Sequence, residues 1–376
     1  MANKPFKLGI LGGALHSIAG YPHFVASQMD NRFKVVSGVF STDPKVNEET
    51  ASYWGVERFY NSIDEFIEKE KGKLDAVSVL LPTPLHYGVI KKLLQNGFAV
   101  ICEKPLFATL EEIERLPQEV DLNDKFLVVT YNYIAYPLLG VLREKILKGE
   151  FGEIVNIHLE MPQESFFRPP KGIKEYPPTW RKKDGTIPGI LLDLMSHLFS
   201  LMKFLTEKRV KKVYSIQKSF SPFGVVDEVK TIAEFTDGAV GFFWVSKTAL
   251  GNRNGLRIAV YGTKASALWV QEEPEKVYVN YADGKKCVWD RSNVEFPPEK
   301  RKLYNRMTPG HPAGFIEAFA NLYWDIAEAL KRFKEGKDYR SVSPLIWTYE
   351  RERENFKFLS AVVKSAKEKR EVFVNG

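Results

Sequence analysis

Cysteine is scarce in this 376-residue chain: only Cys102 and Cys287 occur, far apart and outside any Cys-x-x-Cys pattern. That excludes a disulfide framework and a zinc–thiolate site, and it fits a reducing compartment, so the expected location is cytoplasmic. Long apolar runs are missing as well. No uncharged apolar stretch reaches about 18 residues, so no transmembrane helix and no membrane partner are expected. The N-terminus, Met1-Ala2-Asn3-Lys4-Pro5, lacks the apolar core and small-residue cleavage site of a secretory leader. Internal repeats and low-complexity tracts are absent. The net charge is +7, yet the basic residues are scattered, and the densest groups, Arg181-Lys182-Lys183 and Lys300-Arg301-Lys302, are short. A nucleic-acid binder concentrates such charge on one face, so no nucleic-acid partner is expected. Attraction of an anionic small molecule and a plain solvated surface both remain open readings.

What is present is ordinary globular material, 44% apolar and 27% charged, long enough for two domains. Strand-like runs at 7–13 (KLGILGG), 33–40 (FKVVSGVF), 76–81 (AVSVLL), 98–102 (FAVIC) and 126–131 (FLVVTY) alternate with helical segments near 21–30, 45–54, 62–70, 85–96 and 109–116. Short, nearly continuous apolar strands separated by helices predict parallel βαβ units covered on both faces. Past residue 150 the rhythm changes. A strand near 153–161, a Pro-rich aromatic loop at 162–178 and a helix over 189–205 lead into seven successive strands between 210 and 289. Asp237-Gly238 and Asp283-Gly284 mark hairpins among them, and two helices, about 311–334 and 344–368, close the chain. The expected fold is therefore α/β: an N-terminal Rossmann doubly wound parallel sheet over 1–131, then an α+β domain over 132–376 with a large, mostly antiparallel sheet for substrate binding and oligomerisation.

The first strand ends in Gly12-Gly13-Ala14. A dinucleotide fold needs glycine here for a tight turn and for close approach of backbone N–H groups to a pyrophosphate at the next helix's positive end. Counted from Gly12, the second and third positions of the standard fingerprint fall on Ala14 and Ser17. At the end of strand two, Ser41 and Thr42 stand where NAD enzymes place an acid, with Lys45 close by to accept a 2′-phosphate and Asp43 in reach of a free ribose. The balance leans to NADP. Strand three ends in Leu81-Pro82-Thr83-Pro84-Leu85-His86, with Thr83 expected to cap the following helix. Strand four ends in Glu103-Lys104-Pro105 at the carboxyl edge, where open α/β sheets bind ligands. Further on, Asp193 and His197 stand four apart, on one helical face. By themselves they fit an ordinary surface or core pair, two metal ligands, or a base with a neighbouring carboxylate.

Taken together, Thr83-Pro84-x-His86, Glu103-Lys104-Pro105 and Asp193-x-x-x-His197 resemble the glucose–fructose oxidoreductase / inositol dehydrogenase / rhizopine-catabolism (Gfo/Idh/MocA) family over nearly the whole chain. Within it the stretch from Gly12 to His23 looks like a subgroup with a longer glycine loop, keeping Gly20 and His23 but departing at Ala14 and His16. The family's usual arginine after strand five is replaced by Ile134 or Ala135. The resemblance implies NAD or NADP as cofactor, held by Gly12, Gly13, Ala14, His16, Ser17, Ile18, Ser41, Thr42, Lys45, Leu81, Pro82, Thr83, His86, Glu103, Lys104 and Asn132. It implies His197 as general acid/base, Lys104 as stabiliser and relay, and Asp193 as substrate anchor. Tyr133, Arg168, Trp180, Arg181 and His311 are the expected contacts to a sugar or cyclitol, and the assembly expected is a homo-dimer or homo-tetramer. Two other readings share the architecture: an NAD-dependent glycosidase or lyase using transient oxidation, and a non-enzymatic dinucleotide-binding sensor.

Overall fold

A computed structural model describes residues 4–171, Pro177 and 182–374. The chain forms two compact units, one made of the segment up to Ala135 together with Phe315–Arg353, the other of Tyr136–Gly314 and the segment from Glu354 onward. A single cut at 131/132 misses the return of residues 315–353 to the first unit. That return is a long-range packing event which local sequence pattern does not encode.

The first unit is a six-stranded parallel sheet of β1 (Phe6–Gly12), β2 (Phe33–Val39), β3 (Arg58–Phe59), β4 (Ala76–Leu80), β5 (Val100–Glu103) and β6 (Leu127–Thr130). Their spatial order is β3-β2-β1-β4-β5-β6, the doubly wound arrangement. Helices α1 (Gly20–Gln28), α2 (Pro44–Trp54), α3 (Ile63–Glu70), α4 (His86–Gln95) and α5 (Leu110–Glu119) connect them. The strands read as apolar runs because both faces are covered: Leu8, Ile10, Val77, Val79, Val100 and Ile101 are fully buried. Helix starts follow side-chain caps. Asp43 accepts from the amides of Lys45 and Val46, Ser62 from that of Glu65, and Thr109 with Glu112 forms a capping box. Two-residue β3 carries no apolar run, which is why sequence pattern misses it.

The second unit holds β7 (Ile154–Pro162), β8 (Val210–Lys218), β9 (Glu228–Phe235), β10 (Val240–Ser246), β11 (Arg257–Gly262), β12 (Ala265–Val270), β13 (Val277–Tyr281), β14 (Lys286–Trp289) and β15 (Val372–Phe373). They form one sheet in the order β14-β13-β12-β11-β7-β10-β9-β8-β15, antiparallel throughout except for the β7–β10 pair. Both Asp-Gly hairpins form, with Gly238 and Gly284 at φ +89 and +88. Helices α6 (Pro137–Leu147), α7 (Ser196–Thr206) and α8 (Pro298–Tyr304) belong here. Helix α9 (Phe315–Lys334) lies in the first unit, and α10 (Tyr349–Glu368) contributes its first residues to that unit and the rest to the second. One sheet face is buried, with Phe243 and Phe199 against Phe358. The other face is open. The helix expected over 189–205 is interrupted by a π turn at Leu191–Met195 directly before α7. Such turns cluster at functional sites, and this one carries Asp193.

Candidate active site

Gly12 and Gly13 take φ of +84 and +69, a conformation that side chains disfavour. A Cβ on Gly12 would sit 2.7 Å from the Leu80 carbonyl oxygen, and one on Gly20 only 2.0 Å from that of Gly13. The glycine that lets helix and strand pack closely is therefore Gly20, where α1 begins, and not Ala14 or Ser17 as the standard count expects. Between them Ala14 and Ser17 close a turn, the Ser17 amide donating to the Ala14 carbonyl at 2.7 Å, while His16 and Ile18 are exposed. Helix α1 starts without a side-chain cap or an acid in its first turn, leaving its orphan amides and positive dipole end to an anion.

Along the sheet's carboxyl edge, Asp43 is fixed as the α2 cap and Ser41 Oγ accepts from its amide at 3.1 Å. Thr42 and Lys45 are exposed. After β4, residues Thr83–Leu85 form a 3-10 turn, and the residue preceding α4 is Leu85, which donates no side-chain cap. Thr83 is thus one turn too early to act as the cap. Leu81 and Pro82 lead into this turn, Pro82 exposed.

His86 departs from its expected role. It is buried, with Nε2 2.7 Å from the Leu81 carbonyl and Nδ1 3.1 Å from those of Pro105 and Leu106. Burial lowers its pKa, against the hydrogen bonds to these carbonyls, which can only accept and raise it. Cys102 Sγ lies 3.4 Å from Nδ1, and burial with the nearby Glu103 and Glu352 charges pushes that thiol well up. His86 staples the β4 loop to the β5 loop; both its ring nitrogens are spent on the protein.

Glu103 closes β5 and joins a buried chain. His23 Nε2 lies 3.1 Å from Glu103 Oε2, His23 Nδ1 lies 2.8 Å from Tyr323 Oη, and Tyr323 Oη lies 3.2 Å from Ser78 Oγ. Thr130 Oγ1 donates to the same carboxylate oxygen. Burial alone would push the Glu103 carboxyl up. The His23 hydrogen bond and charge, the Lys104 charge and the Thr130 hydroxyl outweigh it and hold Glu103 below the ordinary range. A carboxylate can only accept, so His23 donates to it through Nε2–H. Burial, first among its causes, raises the Tyr323 phenol. Lys104 follows at the rim of the sheet, half-buried. Asn132, just past β6, is 3% exposed, and its Nδ2 meets no acceptor among the described residues. Neighbouring Tyr133 is buried beside Phe315.

In the second unit, Asp193 leaves the π turn and His197 is the second residue of α7, 5% exposed. Lys247, unforeseen from sequence, is 4% exposed and places Nζ 2.8 Å from Asp193 Oδ2 and 2.7 Å from Gln163 Oε1. An ammonium on that carboxylate disfavours the metal-ligand reading of the Asp–His pair. Gln163 and Lys247 each follow the parallel partners Pro162 and Ser246, so both strands deliver them at one end of the sheet. Arg168 pairs with Glu164 and is exposed on its side chain. His311 lies in an exposed loop whose carbonyl accepts from Arg291 at 2.7 Å. Trp180 and Arg181 lie outside the described residues.

A Rossmann unit with a glycine-walled helix entrance, on one chain with an open-sheet unit carrying an aspartate–histidine helix, defines a dinucleotide-binding oxidoreductase. Residues 6–131 match the oxidoreductase family, NAD-binding Rossmann fold, and residues 141–268 match the GFO/IDH/MocA C-terminal domain. The chain belongs to the Gfo/Idh/MocA oxidoreductase family. It is 27% identical over 359 residues to the uncharacterized oxidoreductase YfiI of Bacillus subtilis, covering 92% of this chain and 90% of that protein. To levoglucosan dehydrogenase of Pseudarthrobacter phenanthrenivorans it is 25% identical over 376 residues, with 90% and 91% covered. An inositol dehydrogenase homolog from Azotobacter vinelandii, solved with NAD+, superposes with a TM-score of 0.91 at 29% identity, covering 98% of this chain and 97% of that one. The same homolog solved with NADH and myo-inositol gives 0.88.

Proposed function

We propose that this enzyme transfers hydride between a nicotinamide dinucleotide and a secondary alcohol of a cyclitol or sugar. The observation that carries the reading is the Asp193 carboxylate held by Lys247 one helical turn before His197. Oxidation of a carbinol requires removal of its hydroxyl proton, and His197 is positioned by α7 as the base for that proton. Asp193 accepts a neighbouring substrate hydroxyl, and Lys104 offsets charge on the developing alkoxide. Related proteins bound to or named for inositol and levoglucosan support a polyhydroxylated ring as substrate.

The residues of the first unit fit a dinucleotide: Gly12, Gly13 and Gly20 let the strand end and the start of α1 pack too closely for any Cβ, and the buried Asn132 amide meets no acceptor among the described residues. When bound, the nicotinamide supplies the hydride acceptor. We favour NAD over the NADP expected from sequence. The exposed Asp43 carboxylate is anchored at the end of β2, where negative charge opposes a 2′-phosphate, and the inositol dehydrogenase homolog was solved with NAD+ and NADH. Purified enzyme with NAD+ and a panel of cyclitols, free sugars and glycosides tests the reading. Stoichiometric NADH formation is expected. Cleavage of glycosides without net NADH would replace it with the transient-oxidation reading.

Self-association is part of this proposal. Across the open face of the second unit, Tyr214, Ile232, Phe242, His158, Ala259, Leu268 and Tyr278 align in one continuous register row. A second copy of the chain is the partner we propose for that row, in which Tyr214, Ile232 and Leu268 are exposed and the others half-buried.

A further inference from the structure

Asp193 does not stand alone: it joins a hydrogen-bonded chain that crosses the second unit. Lys247 Nζ, an obligate donor, reaches Asp193 Oδ2 and Gln163 Oε1 at 2.8 and 2.7 Å. Because the Gln163 oxygen accepts, its nitrogen must donate, and Nε2 lies 2.8 Å from Asn254 Oδ1. Asn254 Nδ2 then lies 3.2 Å from Gln271 Oε1, and Gln271 Nε2 lies 3.3 Å from Tyr136 Oη. Every amide in the row is oriented by the one before it, and the lysine sets the sense of the whole.

We propose that Lys247, aligned by this amide row, is a positioning residue that fixes the Asp193 carboxylate for one substrate hydroxyl, and so helps determine which polyols are accepted. The inference rests on the dehydrogenase reading above. Three features carry it. A lysine is almost never this deeply buried without a charged partner, and its partner here is the carboxylate nearest His197 in sequence on the same helical segment. The π turn frees Asp193 from regular α spacing, so an external tether has to define its orientation. That tether comes from the ends of two parallel strands, which are rigid, rather than from a loop. A pre-aligned carboxylate discriminates against an analogue lacking the hydroxyl it is aligned to accept.

The test uses the full-length enzyme with NAD+ and its best polyol, beside a deoxy analogue lacking the hydroxyl next to the oxidised carbon. Lys247→Met should raise KM for the polyol by roughly 10- to 100-fold, the size of one charge-assisted hydrogen bond, with a smaller change in kcat and unchanged NADH affinity. For the deoxy analogue the same substitution should change KM less than about threefold. Lys247→Arg should restore most of the discrimination. If Lys247→Met does not fold, Gln163→Leu, which loosens the lysine without removing it, should raise polyol KM by roughly fivefold. Wild-type turnover with equal losses on polyol and deoxy analogue, or with no KM change, overturns this inference and leaves the dehydrogenase reading intact. A wild-type enzyme that reduces NAD+ with no polyol overturns both.

Discussion

His23 Nε2 lies 3.1 Å from Glu103 Oε2, tying the first turn of α1 to the residue that precedes Lys104. The start of α1 and the strand end that carries Lys104 are thus connected through one buried imidazole. This gives Glu103 a role different from a direct cofactor contact: its carboxylate is held inside the unit and keeps the end of β5 in place.

That pair has a pH signature. The Glu103 carboxyl is held below its ordinary value of 4.5, so its stabilisation is complete above that pH and is lost as pH falls through the lower folded value. His23→Phe removes the first of the groups that oppose the burial penalty. A loss of about 1.5–3 kcal/mol is expected at pH 7, the range for a hydrogen bond to a charged group, and the gap from wild type should narrow toward pH 4. Urea unfolding at both pH values measures it; a gap that stays constant would show that Glu103 is not its source.

Gly20→Ala tests the geometry of the cofactor cradle. The added methyl meets the Gly13 carbonyl oxygen at 2.0 Å, and because the obstacle is backbone, either α1 or the glycine loop has to move. NADH affinity should fall by at least ~10-fold, with about 1–3 kcal/mol of lost stability from the forced fit. Fluorescence titration of NADH onto the variant reads this directly, and wild-type affinity would mean the helix entrance does not contact the dinucleotide.

For the chemical step, His197→Ala and Lys104→Met should each cut kcat by at least ~100-fold, the lower range for a positioned base or charge stabiliser. Neither should weaken NADH binding more than a few-fold. Single-turnover hydride transfer at saturating cofactor and polyol is the measurement, and retention of most of the rate by either variant would remove that residue from the mechanism.

Much of this was readable from the chain and some was not, for identifiable reasons. The buried strands announce themselves because parallel strands covered on both faces are apolar throughout, and the Asp-Gly hairpins because glycine alone fits their positive φ cheaply. The placement of Gly20 as the close-packing glycine escapes a count based on the standard loop, since it lies three positions beyond Ser17. His86 looks like a ligand in sequence because its partners are backbone carbonyls from a loop some twenty positions away. Lys247 is invisible for the same reason: its partner is 54 residues distant, and nothing local distinguishes it from the other lysines. The return of α9, which brings Tyr323 onto His23, is decided by tertiary burial alone.

Coenzyme choice turns on a single carboxylate with two tasks, and the tasks can be separated. Asp43 caps α2 through Oδ1 and also places a negative charge at the end of β2. Asparagine caps as well as aspartate does, so Asp43→Asn keeps the helix start and deletes only the charge. Thermal stability should therefore stay within about 0.5 kcal/mol of wild type, as for a conservative surface change. The ratio of kcat/KM for NADP+ to that for NAD+ should rise by roughly 10-fold, because the carboxylate no longer repels a 2′-phosphate beside Lys45, whose side chain is 84% exposed. Asp43→Ala, which loses both cap and charge, should show the same shift in ratio together with about 1 kcal/mol of lost stability. If Asp43→Asn leaves the ratio where it was, the charge of Asp43 does not face the ribose, and discrimination must be assigned to Ser41 and Thr42 instead.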